Sequence, residues 1–99
     1  MKQRRVILTP EAVGDLEDIH SQISVVGGTA VADGYIGRLR AYVNGFDIAS
    51  ERGTPRPDLR EGLRTIGFEH RIAITFAVFE EHVEILRFFR GGQNWEDKI

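Results

Sequence analysis

Three arginines in the C-terminal third of the chain are the side chains best placed to bind a charged group. Arg71 comes just before one apolar run, Arg87 lies within the next run, and Arg90 follows it. If the two runs are neighbouring strands, the three guanidinium groups could converge on one region of a sheet and position a phosphate or an acidic peptide. The alternative interpretation is that they pair with Glu69 or Glu84 at the rim of the sheet.

Residue types that perform acid–base or nucleophilic catalysis are few and scattered. His20, His70 and His82 do not have the spacing of metal ligands, and the chain has no cysteine. We therefore predict no metal site and no cofactor. The glycine pairs at 27–28 and 91–92 lack the strand-to-helix context of a phosphate-binding loop. These observations favour binding over catalysis, and we assign no catalytic residue.

The composition is that of an ordinary globular chain. With 41% hydrophobic and 28% charged residues among 99, we expect one domain, spanning residues 1–99, with a modest core. No apolar run is long enough to cross a membrane, and the basic start leads into a strand-length stretch, so we expect a cytoplasmic protein without a membrane partner. The net charge of −2 argues against direct nucleic-acid binding, although a local basic patch remains open.

A β-hairpin would position the arginines. Residues 72–79 and 83–89 are two apolar runs rich in β-branched and aromatic residues, and only the polar triplet 80–82 separates them. A connection this short joins adjacent antiparallel strands. The sequence therefore predicts a hairpin in the C-terminal part of the chain.

Alternation along the two strands predicts which faces are buried. The bulky face of the first strand carries Ile72, Ile74, Phe76 and Val78. Its small face carries Ala73, Thr75 and Ala77. The small face could be open to solvent. In the second strand one face carries Val83, Ile85 and Phe89, and the other carries Leu86 and Phe88. A strand that is apolar on both faces needs a neighbour on each side, so another strand must pair with its free edge.

Two helices precede the hairpin. A short strand at 5–9 gives way to the first helix, because Thr9 is a good N-cap and Pro10 suits the first helical position. The glycine pair at 27–28 ends that helix, and Thr29 is a candidate N-cap for the second. A tight glycine turn between helices predicts an antiparallel helical hairpin.

The remaining segments are shorter. Residues 50–61 contain two prolines, which exclude a helix and predict an ordered loop. Residues 63–68 alternate as a further strand, and 94–98 should be a one-turn helix or a tail. The glycine pair at 91–92 should end the last strand.

These elements predict an α+β fold. The order is β-α-α-β-β-β, and the last strand needs a second neighbour that only the first strand can supply. We therefore expect a two-layer sandwich, in which an antiparallel sheet has its first strand beside its last and the helical hairpin covers one face.

Several segments carry a resemblance to a known family. They are Leu-Thr-Pro-Glu-Ala at 8–12, Asp-Leu-Glu-Asp-Ile at 15–19, Arg-Pro-Asp-Leu at 56–59, Gly-Leu-Arg at 62–64 and Val-Glu-Ile-Leu-Arg at 83–87, with Gly91 and Trp95. In this order and spacing, they make the chain resemble toxins of the RelE/ParE superfamily of type II toxin–antitoxin modules, on the ParE side. The resemblance spans nearly the whole chain, and the family's fold agrees with the predicted order of elements.

The resemblance implies a small bacterial toxin that a cognate, ParD-like antitoxin neutralises by winding a partly helical segment around it in a hetero-oligomer. ParE-like members poison DNA gyrase and are not enzymes, whereas RelE-like members are ribosome-dependent mRNA endonucleases. Ribonuclease chemistry needs a general base and a general acid near the phosphate. Here the middle of the sheet offers only small residues, and no Tyr or His follows His82, which favours the ParE-like function.

The resemblance also suggests where partners bind. We expect the antitoxin to lie along the helical hairpin and across the sheet, on contact residues Leu16, Ile19, Tyr35, Leu39, Tyr42, Arg64, Arg71 and Arg87. Arg90 and Trp95 are candidate contacts for the target, although Trp95 could equally fold back and hold the tail against the domain.

Two departures from the family pattern keep alternatives open. Arg90 stands where many ParE-like chains have a His, and Ala77-Val78 replaces a Tyr-Arg pair that is common there. The alternatives are a ribosome-dependent endoribonuclease and a toxin homologue whose target is not gyrase.

Overall fold

The computed structural model describes residues 2–91 and 95–98, and within them two helices pack on one sheet. The elements follow in the order β1 (Arg5–Leu8), α1 (Pro10–Gly27), α2 (Thr29–Asn44), β2 (Thr54–Pro55), β3 (Leu63–Phe68), β4 (Ile72–Val78) and β5 (His82–Arg90). Short 3-10 turns lie at Gly45–Asp47 and Trp95–Lys98. The sheet order is β1-β5-β4-β3-β2. The predicted α+β fold, with the first strand beside the last, is confirmed.

The prediction for the region 50–61 was incomplete, because this loop contains the two-residue strand β2. Thr54 pairs with Thr65 and Pro55 with Arg64 at the edge of the sheet. The predicted turn at 94–98 is a 3-10 helix over its described part. Gly92 and Asn94, for which we also made predictions, lie outside the described residues.

The sheet is mixed, whereas we expected it to be antiparallel throughout. β1 runs parallel to β5, with Leu8 opposite Ile85, and the other neighbouring strands are antiparallel. If every connection in β-α-α-β-β-β reversed the chain, the last strand would run against the first. The additional strand β2 adds one reversal, and β5 therefore runs in the direction of β1.

The start of α1 is tied to the far end of the chain. The Thr9 hydroxyl oxygen accepts a hydrogen bond from the Ala12 backbone at 3.1 Å, which confirms the predicted N-cap, and the same hydroxyl donates to the Leu86 carbonyl at 2.8 Å. The predicted cap at the start of α2 was wrong. Thr29 is already helical, and Gly28, with φ of 90°, occupies the cap position because glycine adopts a left-handed backbone without a steric cost.

A bulge in β5 corrects the predicted faces of that strand. Thr75 pairs with Arg87 but Phe76 pairs with Ile85, so Leu86 is an extra residue. One extra residue moves every later side chain of the strand to the opposite face of the sheet. Phe88, and not Phe89, therefore joins Val83 and Ile85 in the main core.

The main core lies between the helices and the sheet. Its buried members are Ala12, Leu16, Ile19, Tyr35, Leu39, Val43, Phe46, Phe68, Ile72, Ile74, Phe76, Val83, Ile85 and Phe88. Every bulky residue predicted for the inner face of β4 belongs to this core or packs against it. In the described chain, no helix is both long and apolar enough to cross a membrane.

The opposite face of the sheet is covered, which corrects the expectation that it could be open. Thr75 has no exposed surface, and Ala77 is buried in a second, smaller cluster with Leu63 and Leu86, against which Leu59 packs. The loop that carries Leu59 crosses this face, so small side chains there make room for covering segments.

Candidate partner-binding groove

A groove of about 530 Å³ opens between the tip of the helical hairpin and the sheet end where β4 begins and β5 stops. Its lining comes from both layers, and its members are Ile19, Gln22, Ile23, Val26, Gly27, Val31, Tyr35, His70, Arg71, Ile72, Arg90 and Gly91. One wall is helical and apolar. The other wall carries basic side chains.

The helical wall ends in an exposed apolar tip. Val25 is 87% exposed, Val26 91% and Val31 57%. These valines lie beside the turn at Gly28, where the chain passes from α1 to α2. Single exposed apolar residues are ordinary, but three β-branched ones at the tip of one hairpin beside a groove mark a surface suited to a partner.

The basic wall is shaped by the tight turn between β3 and β4. Glu69 and His70 have positive φ of 50° and 59°, which costs free energy for residues with side chains. The Arg71 backbone N–H donates to the Phe68 carbonyl at 3.0 Å, and the Arg71 carbonyl accepts from the Gly91 backbone at 2.5 Å. These bonds hold the turn and place Arg71 at the mouth of the groove.

Tyr35 forms part of the floor between the two walls. Its ring meets Phe68 edge-on at 5.8 Å between centroids, and the Arg38 guanidinium lies 5.3 Å from the ring centroid. Arg38 is itself held by both carboxylate oxygens of Glu69, at 3.0 and 3.2 Å. These contacts fix the Tyr35 ring in one orientation.

The Tyr35 hydroxyl has no hydrogen-bond partner among the described residues, and less than 1 Å² of its oxygen is exposed. Burial, assisted by the Glu69 carboxylate, raises the pKa of Tyr35 above its ordinary value. The hydrogen bonds from Arg38 lower the pKa of Glu69. At neutral pH the floor of the groove therefore holds a neutral phenol beside a neutralised ion pair.

Arg87 does not join Arg71 and Arg90, which corrects the expected convergence of all three. Its Nε and Nη2 donate to the Asp15 carboxylate at 2.7 and 2.9 Å, and its guanidinium lies 4.8 Å from the Phe89 ring centroid. The hydrogen bonds to Asp15 raise the pKa of Arg87. The alternative prediction, in which the arginines pair with Glu69 or Glu84, was also wrong for Arg87.

Trp95 folds back onto the sheet face opposite the helices. Its ring stacks on Phe89 at 5.9 Å between centroids, and the Arg56 guanidinium lies 5.6 Å from the indole centroid. Arg56 also pairs with Asp58 at 2.9 Å and Glu96 at 2.6 Å, which raises the pKa of Arg56 and lowers that of Asp58. Two roles were predicted for Trp95, contact with the target and holding the tail against the domain. These contacts agree with the second role.

Comparison with known proteins identifies the family. Residues 6–95 match the family model described as the ParE toxin of the type II toxin-antitoxin system, parDE. The chain belongs to the ParE toxin family. It is 30% identical over 90 residues to Toxin ParE3 of Caulobacter vibrioides, an alignment that covers 91% of this chain and 89% of that protein.

A solved structure agrees with this assignment. The chromosomal ParDE TA system from P. aeruginosa contains a chain that superposes with a TM-score of 0.78 at 25% sequence identity, covering 89% of this chain and 96% of that one. The protein is thus a ParE-family toxin of a type II toxin–antitoxin system, as the resemblance implied.

The groove of this ParE-family toxin unites several of the residues predicted to bind partners. Ile19, Tyr35, Arg71 and Arg90 all line it. Arg71 and Arg90 were expected to serve different partners, but they share one wall. Their binding roles remain predictions.

Other predicted contact residues of the toxin lie elsewhere. Leu39 has no exposed surface, so it belongs to the core and cannot touch a partner of the folded chain. Leu16 is also buried, and Tyr42 is half-buried against Phe46 and Phe68. The Arg64 Nε donates to the Arg52 carbonyl at 2.9 Å, away from the groove.

Sequence reasoning missed parts of the groove of this toxin. We predicted no partner contact at His70 or at Val26, although Val26 lies seven residues after Ile19 and three after Ile23, on the side of α1 that lines the groove. Two adjacent valines before a glycine pair could have signalled an exposed apolar tip. In the described part of the toxin, no group of three or more His, Cys, Asp or Glu residues is placed to hold a metal ion.

Proposed function

We propose that this ParE-family toxin acts in the bacterial cytoplasm by binding and poisoning DNA gyrase, without catalysing a reaction itself. We propose further that direct binding of a ParD-like antitoxin neutralises it. The observation that carries the proposal is the groove, in which an exposed apolar wall faces Arg71 and Arg90. A surface of this kind suits another macromolecule, because apolar burial supplies affinity and the charges supply orientation.

The environment of Arg87 supports binding over ribonuclease chemistry. An arginine that clamps a transferring phosphate needs its donors directed at that phosphate. In this toxin Nε and Nη2 of Arg87 are directed at Asp15, and the neighbouring strand carries Ala73, Thr75 and Ala77. The same region is therefore better explained as a structural part of the sheet.

Supercoiling assays with purified gyrase test the target. Adding the toxin should inhibit supercoiling and accumulate cleaved DNA–gyrase complexes, and preincubation with excess antitoxin should abolish both effects. Unchanged supercoiling without cleavage complexes at high toxin concentration would reject gyrase as the target. Codon-positioned cuts in translated mRNA, mapped by primer extension and absent from Arg87→Ala, would instead identify a ribosome-dependent endonuclease.

Co-expression with the product of the adjacent reading frame tests neutralisation. The two proteins should co-purify as a hetero-oligomer, and induction of the toxin without that product should stop growth. Normal growth under those conditions would indicate a homologue that has lost its target or changed it.

A further inference from the structure

The groove is polarised, and this limits what can fill it. At the hairpin tip its wall is made of Val26 and Val31, whereas the sheet side ends in His70, Arg71 and Arg90. An occupant that matches both halves must be apolar along one side and carry negative charge at one end. An amphipathic helix with an acidic residue next to its apolar stripe has this pattern.

The floor adds a more specific requirement. A buried hydroxyl without a partner loses the hydrogen bonds that water would provide, and such groups are rare in folded proteins. The Tyr35 hydroxyl is in this position among the described residues. Its ring is held by Phe68 and Arg38, so the hydroxyl oxygen cannot move towards an acceptor elsewhere without breaking those contacts.

Glu69 does not supply this acceptor. Its carboxylate binds Arg38, and the Tyr35 hydroxyl has no hydrogen-bond partner among the described residues. A carboxylate from outside could accept a hydrogen bond from the hydroxyl with one oxygen and pair with a guanidinium through the other.

Building on the proposed function, we propose that the antitoxin fills this groove with an amphipathic helical segment whose carboxylate side chain bonds the Tyr35 hydroxyl and Arg71. Apolar residues of the same segment cover Val26 and Val31. Because the hydroxyl oxygen is sealed in the unbound chain, docking must include a small shift of the side chains around it. Arg71 is exposed, and rotation of its long side chain onto the incoming carboxylate would contribute to that shift.

The proposal predicts opposite effects of one substitution on folding and on binding. Tyr35→Phe removes a hydroxyl that makes no hydrogen bond to the described residues of the free toxin, so the thermal unfolding midpoint should stay the same or rise. Affinity for the product of the adjacent reading frame, measured by calorimetry, should fall about tenfold. A substitution that simply damaged the fold would lower both.

Charge variants define the second contact. Arg71→Gln should lower the affinity of the toxin for the antitoxin about tenfold and reduce the salt dependence of binding. Arg40→Gln is the matched control, because Arg40 is also an exposed arginine but lines a separate groove on the helical hairpin that shares no lining residue with the first. Its affinity should be that of the unmodified toxin.

Substitutions in the antitoxin identify the carboxylate. Each Asp and Glu of its toxin-binding segment is changed in turn to Asn or Gln. One of these changes should lower the affinity for the unmodified toxin about tenfold, but should lower the affinity for Tyr35→Phe or Arg71→Gln much less. Purely additive effects at every position, or unchanged affinity of both toxin variants, would overturn the inference and leave the proposed function standing.

Two other outcomes would also overturn the inference. If the unmodified toxin fails to bind the neighbouring gene product, the proposed neutralisation falls, and the inference falls with it. If sedimentation of the toxin alone shows a concentration-dependent dimer that Tyr35→Phe and Arg71→Gln disrupt, the occupant of the groove is a second copy of the chain.

Discussion

The Asp15 side chain accepts a hydrogen bond from a backbone group at the edge of the sheet. β1 ends opposite Ile85, so no strand of the described chain lies beside the edge of β5 beyond that point. The Asp15 carboxylate accepts a hydrogen bond from the Phe88 backbone at 2.9 Å in addition to its two bonds from Arg87. α1 thus satisfies a backbone donor that would otherwise be left unpaired at the margin of the core.

We expect Asp15→Asn to lower the free energy of unfolding by about 2 kcal/mol, because it removes the charge that binds Arg87. The amide oxygen can still accept from Phe88, so the fold should survive. Urea denaturation followed by circular dichroism measures the change. Asp18→Asn, at an exposed position of the same helix, should have an effect within about 0.5 kcal/mol. Equal losses for the two variants would contradict the role of the ion pair.

β2 depends on glycine for its approach to β3. Gly53 has φ of 73°, and a Cβ at this position would overlap the Thr65 carbonyl oxygen of the neighbouring strand. Gly62 has a similar φ of 79°, but a Cβ there would meet no described atom within 4 Å. An alanine at Gly62 would therefore carry only the free-energy cost of the left-handed backbone, whereas an alanine at Gly53 would also carry the cost of a steric clash.

Gly62→Ala should destabilise the protein by about 1 kcal/mol, since only the backbone conformation is penalised. Gly53→Ala should cost roughly three times as much, because β2 must also move away from β3. Chemical denaturation of both variants under the same conditions gives the comparison. Similar costs would show that β2 leaves the sheet easily.

The C-terminal 3-10 turn is held by side chains and not by strand pairing. Arg56 contacts Trp95 and Glu96 of this turn and joins them to Asp58 in the loop. All of these groups are at least partly exposed, so each contact is individually weak. We infer that the arginine acts mainly by orienting the turn.

Arg56→Gln should loosen the turn while leaving the rest of the fold unchanged. Trp95 is the only tryptophan in the sequence, so its emission should shift to longer wavelength and acrylamide should quench it more strongly. Arg60→Gln, at an exposed position of the same loop, should leave the emission unchanged. An identical spectrum for Arg56→Gln would show that stacking on Phe89 holds Trp95 unaided.

The chain as a whole is organised around the parallel pairing of β1 with β5. This pairing joins the beginning of the chain to its last strand, and Thr9 reinforces it through its bond to Leu86, 77 residues away. β4 and β5 have strands on both sides, whereas β1 and β2 are the edges. Stability should therefore be unevenly distributed across the sheet.

Amide hydrogen exchange measured by NMR should reveal this distribution. We expect the slowest exchange in the parts of β4 and β5 that are hydrogen-bonded on both sides, and fast exchange in β2. The loop around Leu59 should exchange at a rate close to that of β2. Protection of β2 equal to that of β5 would mean that the whole sheet opens as one unit.

Local sequence signals were sufficient to predict most of the helices and strands. Thr9 and Pro10 marked the start of α1, the glycine pair at 27–28 marked the helical turn, and alternation marked β3 and the hairpin. The ordered family motifs added the toxin assignment. These features succeed because capping, turn formation and alternation depend on residues within a few positions of one another.

The candidate site was predictable only in part. Tyr35, Ile19, Arg71 and Arg90 were expected to contact partners, and all of them line the groove. That Arg71 and Arg90 share a wall, while Arg87 does not, depends on Asp15, which lies 72 residues before Arg87. No local pattern encodes a pair so far apart.

Residue types and their spacing were enough to establish the helices, four of the five strands with their order along the chain, and the family. The direction of β1 against β5, the exchange of Phe88 and Phe89 between faces, and the groove itself emerged only when the chain was folded. A two-residue strand and one extra residue in β5 are too small to leave a periodic signal, yet each reverses a direction or a face. A groove between two layers exists only when both layers are packed together.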